Sequence, residues 1–380
     1  MPARSFGPFT SDGIPVPAGA RVQLRVIQTS GIPRDLAKLR FGIAQLEPQG
    51  SGGLTLPAFG GGAPSGPTVE LGVISANNSD DSFWIFDEVT GAETSTSRNV
   101  GIVAMNRDIA RCPITGDLFV GDGDNFKRLE AGTLDPLWSQ PRENVGGNGR
   151  TRVSPDGTLL AHSGGTMVDV HDAETGAFIA ATPADSQSGS NPNVPGFETN
   201  ERLIFAGRFV SNADVAYYDL DPITDPIDQL LVSAGIGGFY ASGLGCAEGI
   251  IVAGSSGGVV TRLDLSGTIL WQTPSGSGTN PHVYAIEIDV ENERAYALRR
   301  LSSAGPAVIA VIDVGNGNVL DIWDVGDSSI TSLGAQIWIS DDRSALYVSC
   351  DKGLFKLNTA DGSEAWSVLA NDQFRGVVVA

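Results

Sequence analysis

A short pattern that recurs at intervals of roughly forty to fifty residues constrains the fold of this chain more than any other feature. Each copy consists of an apolar strand that ends in Asp or Asn, a turn that closes on Gly, and a second strand. Copies end at Gly91, Gly132, Gly176, Gly267, Gly317 and Gly362, and a seventh copy, YYDLDPITD around Thr224, lacks the Gly. Successive Gly markers are separated by 41, 44, 91, 50 and 45 residues, and the longest interval spans the copy without Gly.

The chemistry of the turn explains the residues of the marker. The carboxylate accepts hydrogen bonds from nearby backbone amides, while Gly adopts the positive φ that a tight hairpin needs. A second hairpin signal precedes the marker in several units, as in SPDGTLLAH at 154–162, ENERAYAL at 291–298 and SDDRSALYVS at 340–349. Each unit therefore holds about four short strands. Repeated units of this size without helical periodicity predict a β-propeller rather than a solenoid.

Large aromatic residues follow the marker at a regular distance. Four of the six tryptophans lie four to six residues after a marker Gly: Trp138, Trp271, Trp323 and Trp366. A ring at a fixed position in each unit is suited to packing one sheet against the next.

The two ends of the repeat region suggest how the ring closes. The first unit, at 68–96, has room for three strands, and the chain stops at QFRGVVVA, 373–380, which resembles the innermost strand of a blade. Pairing these segments would leave no free sheet edge at the junction. The sequence therefore predicts an all-β, seven-bladed β-propeller over residues 67–380, with the C-terminal strand closing the first blade.

The marker turn with its following Trp resembles the PQQ-like and YVTN-type propeller repeats, which have relatives among WD40-like propellers. The resemblance covers roughly residues 67–380 and implies the fold, because such repeats serve enzymes and scaffolds alike. Quinoprotein dehydrogenases of this superfamily need a metal-and-quinone site in the channel, and the sequence has no matching cluster.

The first 66 residues do not join the repeat. Segments 20–30 and 36–46 indicate a small β-hairpin, and a Gly-rich linker follows at 50–66. This segment has a net charge of +3, because three acidic residues accompany six basic ones: Arg4, Arg21, Arg25, Arg34, Lys38 and Arg40. We expect it to anchor the protein on an acidic surface, which is its own propeller, a neighbouring subunit or another protein.

Composition excludes several classes of partner. A net charge of −20 disfavours nucleic acid and anionic membranes, and no stretch is long and apolar enough to span a membrane. The N-terminus has no secretory signal pattern, which predicts a protein in the cytoplasm or assembled into a virion. The three cysteines, Cys112, Cys246 and Cys350, are far apart, and we expect buried free thiols.

Basic residues converge on the strand that each unit places nearest the propeller axis. They are candidates for binding an anion or a carboxylate of a partner: Arg107, Arg111, Arg150, Arg152, His282 and Arg375. The alternative is that each Arg pairs with an Asp of a neighbouring blade or with a loop carbonyl.

Three other patterns are weaker evidence for a functional site. Acidic loops contain possible Ca²⁺ ligands without EF-hand spacing, and we expect solvated loops and no cofactor; the carboxylates are Asp122, Asp124, Asp219, Asp221, Asp225 and Asp228. His162 and His171 are close in one unit, but packing is the expected role. The GSSGG segment around Ser256 matches a nucleophile motif, yet two strands flank it, which indicates a hairpin.

No acid, base and nucleophile converge in the sequence, so we expect a non-catalytic interaction scaffold within a larger assembly. One version is a component of a virus or phage particle, such as a tail or capsid-decorating protein. The alternative is a propeller hydrolase or lactonase, with a site at the channel mouth that uses the arginines, His282 and Glu287.

Overall fold

The computed structural model describes most of the repeat region as β-structure. The described residues are 73–77, 82–94, 98–99, 109–122, 125–141, 150–164, 167–183, 194–207, 215–233, 235–236, 241–275, 281–302, 306–325, 335–350, 353–369 and 374–379. The chain divides into two units, residues 1–63 and 64–380, and every described residue belongs to the second. The predicted N-terminal hairpin and the six basic anchoring residues lie outside the described residues, as do Arg107 and Asp124.

Six blades each consist of four consecutive antiparallel strands. Blade I contains β4 (Ile109–Arg111), β5 (Leu118–Asp122), β6 (Asn125–Leu129) and β7 (Pro136–Pro141). Blade II contains β8 (Thr151–Val153), β9 (Leu159–Gly164), β10 (Met167–Asp172) and β11 (Phe178–Ala181). Blade III contains β12 (Val194–Thr199), β13 (Arg202–Ala206), β14 (Val215–Asp219) and β15 (Gln229–Ser233).

The other three of these blades follow the same order. Blade IV contains β16 (Ala241–Ala247), β17 (Ile250–Ser255), β18 (Val260–Leu263) and β19 (Ile269–Gln272). Blade V contains β20 (His282–Asp289), β21 (Arg294–Arg300), β22 (Ala307–Asp313) and β23 (Val319–Asp324). Blade VI contains β24 (Gln336–Ile339), β25 (Ala345–Cys350), β26 (Gly353–Asn358) and β27 (Glu364–Leu369).

A further sheet, the junction sheet, combines both ends of the described chain. It contains β1 (Val73–Asn77), β2 (Ser82–Phe86), β3 (Arg98–Asn99) and β28 (Phe374–Val379), in the order β28, β1, β2, β3. Strand β28 pairs antiparallel with β1, so that Val379 lies opposite Val73. Val377 and Val378 are fully buried.

The predicted count of seven blades is corrected to six complete blades in the described part of this all-β propeller. Only β2 and the end of β28 have described side chains in the junction sheet, and β3 has two residues. The count from sequence was wrong because each marker turn identifies only one connection, that between the third and fourth strands. The marker at Gly91 therefore does not by itself establish a complete blade.

The marker turns have the predicted chemistry. In the junction sheet, Asp87 Oδ1 accepts hydrogen bonds from the backbone amides of Thr90 at 2.7 Å and Val89 at 3.2 Å. All six marker glycines have positive φ, between 68° at Gly91 and 83° at Gly132. The second hairpin signals are also confirmed, because they connect the first and second strands of blades II, V and VI.

The four predicted tryptophans lie on fourth strands, where each ring covers the marker Gly of the next sheet along the chain. Trp271 of β19 covers Gly317 of blade V, and a Cβ atom on that Gly would lie 2.6 Å from the ring. Trp366 of β27 covers Gly91 in the same way, at 2.6 Å. The remaining pairs are Trp138 with Gly176 and Trp323 with Gly362. At these four positions Gly is therefore required both by its turn and by the neighbouring ring.

The hydrophobic core lies between blades rather than within one layer. One cluster joins Tyr296 and Ile309 of blade V to Leu346 and Phe355 of blade VI. Another joins Tyr217 of blade III to Leu263 of blade IV, among other residues. Each sheet buries both faces against its neighbours, which explains why its middle strands are almost continuously apolar.

We predict that Gly317→Ala destabilises the protein more than Gly132→Ala. Both glycines have positive φ, 77° and 83°, so both substitutions carry a backbone cost of about 1–2 kcal/mol. Nothing lies within 4 Å of a Cβ atom at Gly132, whereas the Trp271 ring blocks it at Gly317. The ring contact adds about 1–3 kcal/mol, measurable as the difference between the two variants in urea unfolding. Equal losses would contradict the stacking role of Trp271.

Candidate functional site

The first strands of the blades surround a central channel, which contains a cavity of about 340 Å³. In blades II, IV and V the lining residues lie toward the C-terminal end of the first strand. Each of the six blades contributes a side chain from its first strand: Arg111, Arg152, Phe197, Cys246, Glu287 and Trp338. Much of the remaining lining is aliphatic, including Ile109, Leu244, Ile286 and Ile337.

Glu287 introduces a carboxyl group into this partly apolar cavity. It lies near the end of β20, between the lining residues Ile286 and Ile288. Burial raises the pKa of Glu287 to about 7, and the nearby charges of Arg152 and Arg343 act in the opposite direction. The carboxyl group therefore exchanges its proton near neutral pH, which suits it to hydrogen bonding in either direction.

Cys246 also lines the cavity, and close packing positions it. Gly196 of β12 leaves room for the thiol, since a Cβ atom there would lie 2.9 Å from Cys246 Sγ. Burial and the negative charge of Glu198 raise the pKa of the Cys246 thiol, which Arg152 counteracts. A protonated thiol is a poor nucleophile, so this cysteine is not poised for covalent catalysis.

Glu198 is close enough to the thiol for its charge to act on it, but it is not among the cavity-lining residues. Its side chain is buried, and burial raises the pKa of its carboxyl group, opposed by the charge of Arg202 and a hydrogen bond from the Gly249 backbone amide. The carboxyl group thus links β12 of blade III to the turn that follows β16 in blade IV.

Two hydrogen-bond donors in the lining have no partner within the described residues. They are Nε of Arg111 and Nε1 of Trp338, and both atoms are buried. Arg111 Nη1 forms an ion pair with Asp341 of blade VI at 3.2 Å, so this end of the guanidinium group has a partner while Nε has none among the described residues. Buried donors without partners are uncommon in folded proteins, and these two belong to residues that line the cavity.

Polar side chains also form hydrogen bonds between blades at the channel, and one of them, Gln336, lines the cavity. Arg150, immediately before β8, is buried and donates from Nη2 to the carbonyl oxygen of Ala335 in blade VI at 3.0 Å. Gln336 donates from Nε2 to the Ile109 carbonyl oxygen at 3.1 Å and accepts from the Val377 amide at 2.9 Å. These contacts connect blades I, II and VI with the junction sheet.

The structure therefore separates the basic residues predicted to converge. Arg111 and Arg152 line the cavity, while Arg150 binds a carbonyl across the channel, as the alternative interpretation expected.

His282 is not among the cavity-lining residues. It begins β20, at the opposite end of that strand from Glu287, and it packs on Tyr284 with 4.5 Å between ring centroids. Burial and the charge of Arg300 lower the pKa of His282 to about 4, so the ring is neutral. Arg375 lies on β28, and its side chain is outside the described residues.

The acidic loops have structural contacts where they are described. Asp219 Oδ1 accepts from the Asp221 amide at 3.1 Å, and Asp225 Oδ1 accepts from the Ala181 amide of blade II at 3.3 Å. Asp122 ends β5, and its side chain is outside the described residues. Within the part of the chain that the structure describes, no three His, Cys, Asp or Glu side chains form a metal-binding group.

The two minor motifs have the packing roles that we expected. His162 and His171 lie against Phe126, with centroid distances of 4.5 and 4.8 Å. Ser256 lies in the turn between β17 and β18, which confirms a hairpin rather than a strand-to-helix elbow. No helix in the described residues is long and apolar enough to cross a membrane.

Sequence reasoning missed Trp338, Cys246 and Glu198 as parts of this region. Trp338 does not follow a marker Gly, so the regular Trp pattern gave no reason to select it. A buried acidic residue in a first strand, such as Glu198 in VPGFET, is the signal that a closer inspection of the strand pattern would have found.

The fold is shared with proteins of known structure, whereas the sequence is not. The described architecture is similar to dihydro-heme d1 dehydrogenase NirN in complex with DHE, with a TM-score of 0.53 and 13% sequence identity. The similarity covers 83% of this chain and 77% of that chain. At this identity the likeness establishes the β-propeller fold alone. No protein-family model matches the chain, and no curated protein matches its sequence.

We predict that Glu287 makes stability depend on pH. Because its pKa is raised from 4.5 to about 7, folding favours the protonated form; this contribution is complete below about pH 4.5 and is lost as pH rises through 7. Glu287→Gln should reduce the decrease in unfolding free energy between pH 5 and 8 by up to about 3 kcal/mol. Urea unfolding across this range measures the effect.

The matched control is Glu364→Gln, on the exposed side of β27. This substitution should leave the pH dependence of unfolding unchanged. If Glu287→Gln and the wild type lose stability in parallel, the carboxyl group of Glu287 titrates normally.

Proposed function

We propose that this protein is a non-catalytic interaction scaffold, anchored in a larger assembly through residues 1–66. The observation that carries the proposal is the exposure of large apolar side chains along the outer edge of the propeller. The fourth strand of each of the six complete blades has at least one such residue: Leu137, Phe178, Ile179, Leu230, Ile269, Leu270, Val319, Leu320, Ile322 and Leu369.

These residues are exposed to an extent that supports a role in contacts. Leu270 is 50% exposed, Leu320 is 53% exposed and Leu369 is 75% exposed. Among the described strands, a fourth strand pairs only on its inner side, and its outer edge can add a strand from another chain. Apolar side chains repeated on such edges are typical of surfaces that bind other proteins.

The charge distribution supports anchoring through the N-terminal segment. Residues 1–66 have a net charge of +3, so the remainder has −23 within the total of −20. A basic segment joined to an acidic body is suited to binding a second acidic surface. A virus or phage particle, with this protein as a tail or capsid-decorating component, is the assembly that we propose. We also propose that the propeller repeats are of the PQQ-like or YVTN type, because of the marker turn and the Trp that follows it.

The second candidate is a hydrolase or lactonase, and Glu287 is the observation that favours it. A carboxyl group with a pKa of about 7 is suited to general acid–base catalysis near neutral pH. Against this candidate, His282 lies at the far end of β20 from the cavity, and the Cys246 thiol is held protonated. Glu287 thus has no activated nucleophile beside it among the described residues.

We predict that neutralising the basic N-terminal residues breaks the association of the full chain. The variant replaces the six basic residues of 1–66 with Gln, and the measurement is molar mass by light scattering at low and high salt. We expect the wild type to exceed its monomer mass of 39.5 kDa at low salt, and the variant to remain a monomer. Lys127→Gln, on β6, is the control and should behave as the wild type. Identical mass distributions for wild type and the six-residue variant would exclude association between copies of the chain through this segment.

A hydrolysis assay separates the two candidates. We expect no turnover of aryl esters or lactones above the uncatalysed rate by the full chain. Turnover that Glu287→Gln lowers by about a hundredfold or more would establish the enzyme and reject the scaffold, because general acid–base catalysis contributes effects of that size.

A further inference from the structure

We infer that the channel cavity binds a small organic acid, with its carboxylate held by Arg111 and Trp338 and its apolar body against Phe197 and the aliphatic residues of the neighbouring strands. This binding site goes beyond the scaffold role and does not depend on it.

We assign the acid group of the ligand to the part of the lining that contains Arg111 and Trp338. Arg111 Nε and Trp338 Nε1 belong to blades I and VI, and both nitrogen atoms are buried without a partner among the described residues. Both residues line the same cavity. A carboxylate has two oxygens that accept hydrogen bonds, which suits it to a cavity whose lining contains donors on two residues. A buried donor without a partner is unfavourable, and a ligand that accepts its hydrogen bond removes that cost.

The local charge favours an anion even though the whole chain is acidic. Arg111 and Arg152 both line the cavity, and the carboxylate of Asp341, which pairs with Arg111, is 78% exposed and is therefore well solvated. The lining also contains the carboxyl group of Glu287. The charge of Arg152 lowers the pKa of this group, but burial raises it more and favours the neutral form. A neutral carboxyl group does not repel the ligand and can donate a hydrogen bond to it.

The size and lining of the cavity limit the rest of the ligand. A volume of about 340 Å³ lies at the lower end of the range of small-molecule pockets. Phe197, Ile286 and Ile337 provide apolar surface for a short aliphatic or aromatic group. The hydrogen bond from Arg150 to the Ala335 carbonyl oxygen crosses the channel from blade II to blade VI, which favours a compact acid over a long chain that threads the axis.

The test compares hexanoate with hexanamide, which has the same apolar chain and no charge, by isothermal titration of the full-length protein. We expect hexanoate to bind and hexanamide to bind at least about tenfold more weakly, because a charge-assisted hydrogen bond contributes about 1.5–3 kcal/mol. Arg111→Lys keeps the charge but removes Nε, and Trp338→Phe keeps the ring but removes Nε1. Each should weaken hexanoate binding by about three- to tenfold.

One control variant and three contrary outcomes complete the test. Arg300→Lys, at the other end of the channel from Glu287, should leave hexanoate binding unchanged, and thermal unfolding checks that each variant is folded. If Trp338→Phe does not fold, Arg111→Lys decides the question. Equal binding of acid and amide, no hexanoate binding up to about 10 mM, or binding that Arg111→Lys leaves unchanged would each overturn the proposal.

Discussion

The contact between a tryptophan of one sheet and the turn glycine of the next joins four pairs of neighbouring sheets in the described propeller. Each ring needs the space that a glycine leaves, and each turn needs the positive φ that glycine tolerates, so one residue satisfies two independent constraints. The contact also adds a hydrogen bond in places, since Trp271 Nε1 donates to the Val314 carbonyl oxygen at 2.7 Å and Trp366 Nε1 to that of Glu88 at 3.0 Å. These contacts fix the rotation between neighbouring sheets. The positions of the first strands at the axis depend on that rotation.

The channel cavity is a consequence of this arrangement. Arg111, Glu287 and Trp338 are far apart in the chain, and they line one cavity because each lies near the end of a first strand. Close packing also requires small residues, as in β16, where a Cβ atom at Gly245 would lie 2.9 Å from Ile286. The outer strands do not share this constraint and remain exposed. The propeller thus has two different surfaces with binding potential, a narrow polar cavity at the axis and an apolar outer edge.

The likeness to NirN concerns the architecture and not the chemistry. Blades of four antiparallel strands pack in the same way whenever their faces are apolar, so proteins of very different sequence adopt the same fold. Function depends on the few side chains that reach the axis or the outer edge. In this chain the axis has a carboxyl group, two guanidinium groups and an indole without an activated nucleophile among the described residues, and the outer edge has leucine and isoleucine. Those side chains are the basis for proposing a binding role.

The sequence alone determined the repeated hairpins, the marker turns and the positions of the stacking tryptophans, because these depend on neighbouring residues and on the local conformation of Gly and Asp. It gave the wrong number of complete blades, since a turn marker identifies only one connection in a blade. Only the tertiary structure decided which basic residues meet. Arg111 and Arg152 line the cavity, Arg150 instead binds a carbonyl across the channel, and His282 lies at the other end of its strand from Glu287. Neither these placements nor the unpartnered Trp338 nitrogen follows from local sequence, because they depend on which ends of distant strands meet at the axis.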